Sequence, residues 1–201
     1  MQKVIQKGRT TEAFIMISVI IWGLLSFYAG KSQLFAQFPR PVFGFTVLGI
    51  MLTLISMYLW LKPITTYADS IPLKGIALFH SWRIFAGWMF LSNTGTLSQT
   101  FIDNAAYGDI IAGFLGLMVF VFGQTKRNYL IFNVLGMLDF ITAVGTGLTL
   151  TISGDTQMEK IIQLPLIMIP LFGVPLSGIT HIISLNRLQK SKEVKNNEIV
   201  F

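Results

Sequence analysis

Gly75 to Ser92 (GIALFHSWRIFAGWMFLS) is apolar over a length that suits a membrane helix, yet it carries His80 and Arg83 inside it. An ionised guanidinium in hydrocarbon costs between about 3 and 17 kcal/mol, depending on how far it can reach water or a partner. The chain therefore has to fold so that Arg83 faces other helices, a bound group or water. The remaining sequence supplies those helices. Of 201 residues, 53% are hydrophobic and 12% are charged, about half the charged share of an ordinary soluble domain. There are no cysteines, which excludes disulfides, thiolate metal sites, iron–sulfur clusters and cysteine nucleophiles.

Apolar runs bounded by polar or proline-bearing segments predict an all-α, polytopic transmembrane bundle of six spans, at about residues 13–30, 41–62, 75–98, 105–123, 129–151 and 161–186. The first run follows a basic start, but it is longer than a signal-peptide core and no small-x-small cleavage pattern follows it, so it reads as a retained span. Pro63 to Lys74 (PITTYADSIPLK) reads as a connector by its prolines and polar residues. Residues 1–188 then form a single six-helix domain, and 189–201 a polar, mobile cytoplasmic tail.

The net charge of +6 is carried by short clusters between the apolar runs, so it speaks for orientation and against nucleic acid as a partner. With the amino terminus inside, the inner segments hold Lys3, Lys7, Arg9, Lys62, Lys74, Lys126, Arg127, Arg187, Lys190, Lys192 and Lys195, and the outer ones only Lys31, Arg40 and Lys160. Both termini are expected in the cytoplasm.

Depth and facing predict which buried polar groups meet. At a rise of about 1.5 Å per residue, His80, Asn133 and His181 lie about 6–7 Å from the cytoplasmic ends of their spans, Arg83 about 12 Å and Asp139 about 15 Å. All fall in the inner half. Asp109, near the outer start of its span, is placed about 10 Å too shallow, which leaves Asp139 as the expected partner of Arg83. His80, Arg83 and Gly87 share one helix face. Asp139, Thr142, Thr146 and Thr149 form a polar stripe with two readings, a cavity lining or threonines bonded back to their own helix. Gly108, Ala112 and Gly116 make a small-residue face for close helix packing. Pro170 and Pro175 deprive the carbonyls of Leu166 and Leu171 of their usual donors, so the sixth span cannot be a regular helix.

Function follows from the same cluster. No Walker loop, nucleophile elbow, zincin or dinucleotide motif is present, and no enzymatic activity is expected. The first reading is a small carrier or sensor that binds a small anionic or protonatable ligand through Arg83 and Asp139, with His80, His181, Asn133, Asp109, Thr142 and Thr146 around it. No cofactor is expected on this reading. The alternative is an electron carrier or accessory subunit with His80 and His181 as axial ligands of one haem b; a metal held by two histidines and Asp139 fits less well. A third reading is purely structural helix packing. The expected partners are the lipid bilayer, a small-molecule ligand, and a homo-oligomer or larger membrane complex.

The segments HSWRIFAG, AAYGDIIAGFLG, NVLGMLDFITAVGTG and LPLIMIPLFGVPLSGITHIISL together resemble a group of small uncharacterised bacterial multi-pass membrane proteins of about six helices. The resemblance covers roughly the last two thirds of the chain. It implies a bacterial cytoplasmic membrane, brings no activity with it, and marks Arg83, Asp109, Asn133, Asp139 and His181 as residues to test together.

Overall fold

The computed structural model describes the backbone of residues 2–123 and 125–197, with side chains from 10 to 123 and from 125 to 190. The predicted inner cations Lys3, Lys7, Arg9, Lys192 and Lys195, as side chains, and residues 198–201 of the predicted tail lie outside the described residues. Among those described the chain is all-helical, with α1 Gln2–Lys31, α2 Pro41–Trp60, α3 Lys62–Ser70, α4 Leu73–Phe79, α5 Trp82–Leu91, α6 Gln99–Phe122, α7 Lys126–Ile152 and α8 Val174–Asn197. Proline opens α2 where a missing N–H leaves no helical bond unmade, and the Thr125 side chain caps α7 by accepting from the Asn128 amide at 3.2 Å.

Among the described residues, five segments are long and apolar enough to cross a membrane: Thr10–Lys31, Pro41–Trp60, Gln99–Phe122, Lys126–Ile152 and Ile169–Lys190. Large apolar side chains such as Leu24, Leu52, Phe114 and Ile141 stand exposed on them, as a surface in lipid requires. The predicted third span is instead two short helices. Between α4 and α5 the ladder tightens to three-residue steps, with the Arg83 amide donating to His80 at 3.0 Å and that of Ile84 to Ser81 at 3.1 Å.

Other boundaries also differ from those predicted. α5 ends at Leu91, not at residue 98, because Asn93 and Thr94 turn their side chains back to the Met89 and Leu91 carbonyls at 2.9 and 2.7 Å and satisfy the last turn. Gly95, at φ +85°, then reverses the chain. α6 consequently starts at Gln99 rather than 105. The predicted connector after α2 contains α3, which Tyr58 ties down by donating to Asp69 at 2.9 Å while accepting from Asn186 of α8 at 2.7 Å. The predicted loop before the sixth span forms tight three-residue turns over Thr156–Ile162; the span itself passes through a π turn over Ile169–Gly173 and becomes α8 only at Val174. The Leu166 carbonyl, freed by Pro170, finds a new donor in the Ile169 amide at 3.0 Å, and in the π turn the Val174 amide reaches back five residues to Ile169. α8 then continues as helix through most of the predicted tail, to Asn197.

α6 is the centre of the bundle, packed against α4 and α5 on one side and α7 on the other, while α8 packs against α2 and α7. Glycine permits this closeness. A Cβ at Gly113 would meet the backbone of Ile84, one at Gly116 the Ala77 carbonyl, and one at Gly87 the Ala106 carbonyl. Gly108, predicted to belong to the same face, turns instead toward α7, against the carboxylate of Asp139. α1 lies at the edge, held by Trp22 edge-on to Phe172 at 5.0 Å and by Gly30 against Leu164 and Ile167. On the side of the bundle where α5 ends and α6 begins, Arg40 bonds Glu159 at 2.6 and 2.8 Å and the Gly154 carbonyl at 2.8 Å, joining the start of α2 to the turns after α7.

Among the described residues the buried apolar side chains form three clusters. One gathers Phe43, Phe90, Phe101, Met158 and Ile161 toward the Arg40 side; the other two, around Tyr58 and Ile76 and around Val119 and Phe132, lie toward the opposite end. Along α5, α6, α7 and α8 alike, the residues at the level between them are Arg83, Asp109, Asp139 and His181. Helix closeness at α6 predicts that Gly113→Leu, which must push into the Ile84 backbone, lowers stability by about 1–3 kcal/mol or more. Gly145→Leu, where nothing lies within 4 Å, is the control and should leave the melting temperature of the detergent-solubilised protein nearly unchanged.

Candidate functional site

Arg83, 3% exposed, is the centre of the site. Its Nε donates to Asp109 Oδ1 at 2.7 Å, its Nη2 donates to Asp139 Oδ2, and its Nη1 donates to His181 Nε2 at 3.3 Å. Asp139 is thus the partner expected from sequence, and Asp109, expected to be too shallow, is a second one. The helix boundaries explain the error. Arg83 stands eight residues before the end of α5 at Leu91, and Asp109 ten after the start of α6 at Gln99, about 12 and 15 Å from the same end of the bundle. Asp139, thirteen residues from either end of α7, is at mid-helix as well. The charged triad lies at the middle of the bundle, while Asn133, seven residues after the start of α7 at Lys126, stays nearer the end expected from sequence.

The hydrogen bonds set the histidine tautomers. Because Arg83 donates to His181 Nε2, the ring proton is on Nδ1, from which it is donated to Asn133 Oδ1 at 2.9 Å; the Asn133 amide in turn donates to the Tyr129 carbonyl at 2.7 Å. Thr180 gives its single proton to the Leu176 or Ser177 carbonyl, each at 2.9 Å, and therefore accepts from His80 Nε2 at 3.0 Å. The buried Nδ1 of His80 is left with no partner. Trp82, next to Arg83, donates to the Ser177 hydroxyl at 3.2 Å.

Two glycines make room for the functional side chains. A Cβ at Gly108 would strike the Asp139 carboxylate, and one at Gly136 would strike the His181 ring. Both side chains are therefore pressed against bare helix backbone, which holds their rotamers. Gly136 carried no distinct signal in the sequence, because its role depends on which residue of α8 comes opposite.

The structure brings Arg83, Asp109, Asp139, His181, Asn133 and His80 into one connected group. It does not bring Thr142 or Thr146. Thr142 is exposed and donates to the Leu138 carbonyl at 3.0 Å, one turn back on its own helix; Thr146 is half-buried and lines no part of the cavity described next. The stripe belongs to the helix surface, where back-bonding satisfies the hydroxyl.

His80 and His181 are stacked, with ring centroids 4.0 Å apart at 33°, and Phe132 packs on both at 5.1 and 5.2 Å. Axial ligands of a haem must point at the iron from opposite faces of the macrocycle. Here the rings lie against each other, each Nε2 is engaged by Thr180 or Arg83, and no macrocycle fits between them. The residues present do not fit a bis-histidine haem. Among the described residues no group of three or more His, Asp or Glu is arranged to hold a metal ion.

From the charged level a cavity of about 70 Å³ extends toward the Arg40 side, between α2, α5, α6, α7 and the 158–177 segment. Arg83 and Asp109 form its closed end, with Ser177 beside them, and Phe43, Trp82, Phe90, Phe101 and Phe140 its aromatic walls. Sequence reasoning missed these walls, since aromatic residues on four separate elements look like ordinary core.

The comparisons with known proteins carry no activity to the chain. No curated protein and no solved structure matches it. A family model described as a domain of unknown function, DUF8737, matches residues 41–189, a range that contains the whole polar group and the cavity and leaves α1 outside. The chain belongs to this family of domains of unknown function.

Proposed function

We propose that this chain is a small membrane carrier or sensor whose buried Arg83–Asp109–Asp139 triad takes up a protonatable ligand. The observation that carries the reading is one guanidinium between two carboxylates at the closed end of an aromatic cavity. Three formal charges in that triad sum to −1, and a deeply buried net charge is costly. The triad therefore has a place for one positive equivalent, which a proton or a protonated ligand fills. An anionic ligand is less well supported, because the Nε, Nη1 and Nη2 of Arg83 already donate to Asp109, His181 and Asp139 and such a ligand would have to displace a carboxylate.

The proposed topology has six crossings, both termini in the cytoplasm and a bacterial cytoplasmic membrane around them. α4 and α5 together run from Leu73 to Leu91, nineteen residues or about 28 Å, and supply a sixth crossing beside the five long segments. The basic residues of the sequence favour the cytoplasmic termini by the positive-inside rule. The cavity then faces the outside of the cell.

The reading is tested by following the carboxyl groups themselves. On a pH jump of the purified full-length protein, a protonated-carboxyl infrared band should appear as pH falls and should be lost or halved in D109N or D139N. The titratable or charged groups around the triad are His181 and His80, on α8 and at the α4–α5 turn; α2 and the 158–174 segment bring none to the cavity. A carboxyl band that never titrates while the protein stays folded would remove the proposal.

A purely structural role is separated by stability. Arg83→Gln alone leaves two carboxylates face to face and should cost about 3–5 kcal/mol. The neutral variant R83Q/D109N/D139N should recover most of that loss and match or exceed wild type in thermal unfolding, because well-packed neutral groups replace buried ions at little cost. If the neutral variant stays as unstable as R83Q, the charges are there to hold the helices together.

A further inference from the structure

The site takes one positive equivalent on the reading above, and the following inference rests on that reading. We infer that the ligand of the cavity is a lipophilic organic monocation, a protonated amine or quaternary ammonium with an aromatic or branched aliphatic body, its cationic head against Asp109 and its body among the aromatic walls.

Charge selects the head group. Of the residues lining the cavity only Arg83 and Asp109 are charged, and behind them Asp139 brings the second carboxylate. A cation brought to the closed end completes the neutralisation of the triad, whereas an anion adds to its excess. Asp109 offers its carboxylate at that end while Oδ1 alone is engaged by Arg83 Nε, at 2.7 Å. In so dry a setting the attraction between charges is much stronger than in water.

The walls select the rest of the molecule. Phe43, Trp82, Phe90, Phe101 and Phe140 present ring surface, and ring faces attract cations while ring edges and methyl-bearing groups pack against apolar substituents. Ser177 and Thr151 are the uncharged polar side chains of the lining; the Ser177 hydroxyl already accepts from Trp82, and Thr151 donates to its own helix at 2.8 and 3.0 Å. A sugar or nucleotide would thus find few hydrogen-bonding groups, and a small hydrated metal cation would be stripped of water against rings.

A second cavity adjoins this one on the same side. Phe43, Thr151, Met158 and Ile161 line this cavity and also a second, more polar one that borders Arg40, Glu159 and Gln163. The four residues form a partition between a polar vestibule and the aromatic chamber.

Equilibrium dialysis of full-length protein in detergent tests the inference, with benzyltrimethylammonium, its uncharged isostere neopentylbenzene, and phenylacetate as probes. Benzyltrimethylammonium should bind at least about tenfold more tightly than the other two, and Asp109→Asn should remove that preference. If D109N does not fold, Phe140→Leu serves in its place, and should weaken the cation more than the uncharged isostere. Equal binding of cation and isostere, tighter binding of phenylacetate, or no binding of the cation would overturn the inference. The two proposals fail separately. A titrating carboxyl band without cation binding leaves the proton-linked reading standing and removes the organic cation. Asp109-dependent cation binding with no titrating band removes proton uptake and keeps the ligand.

Discussion

The arginine of α5 between the carboxylates of α6 and α7 is the constraint around which this bundle is arranged. Three helices each contribute one ionised group at one level, and a fourth, α8, contributes His181, which accepts the remaining guanidinium contact. Such a group cannot form unless the helices approach within one side-chain length of each other. Glycine is what allows that approach: Gly87, Gly113 and Gly116 seat α4 and α5 on α6, Gly108 admits Asp139, and Gly136 admits His181. The small residues and the charges are therefore two aspects of one requirement. Lipid gives little driving force for helix association, so close van der Waals contact and interhelical hydrogen bonds have to supply it.

The cluster was partly legible in the sequence, and its misreadings have physical causes. Asp139 and Arg83 match in the sequence because both fall within long apolar runs where a charge needs a partner, and helical facing puts His80 with Arg83. Hydropathy places Asp109 too shallow because the turn that ends α5 is made by asparagine and threonine side chains folding back on the helix, a local event that hydropathy does not register. Moving that boundary to Leu91, with α6 starting at Gln99, shifts Asp109 from a helix mouth to mid-bundle. Thr142 shows the converse. Its spacing matches Asp139, yet a threonine satisfied by its own helix at 3.0 Å has no need of the interior. The proline-rich segment is legible as irregular, and the freed Leu166 carbonyl is closed by a local turn, which shapes the backbone beside the cavity.

The histidines show how far residue type alone can mislead about chemistry. Two imidazoles on different helices are what a haem needs, but the spacing of the rings decides the matter. Stacked at 4.0 Å, with one ring receiving from Arg83 and the other giving to Thr180, they act as a wedge between α4, α7 and α8 and as orienting groups. His181 in particular extends the guanidinium network to Asn133 and ends it on a backbone carbonyl. Each hydrogen bond in that chain has its direction fixed by the next, which makes it a rigid support for one side of Arg83. The other side, where Asp109 meets the cavity, has no such chain behind it.

That asymmetry bears on function. On the His181 side a change at Arg83 must propagate through Asn133 to the α7 backbone. On the Asp109 side it meets aromatic walls and empty space. A charge arriving from the cavity can therefore rebalance the triad through Asp109 while His181 keeps the guanidinium in place, and the helix that must respond is α6, against which α4, α5 and α7 all pack. The π turn at Ile169–Gly173 lies beside the same chamber, with Pro170 and Val174 in its wall. An interrupted helix can adjust there without breaking a regular ladder. On the proposed reading, a central helix that carries the responding carboxylate and a π-interrupted segment that borders the same chamber are the elements through which occupancy of the cavity would move the helices.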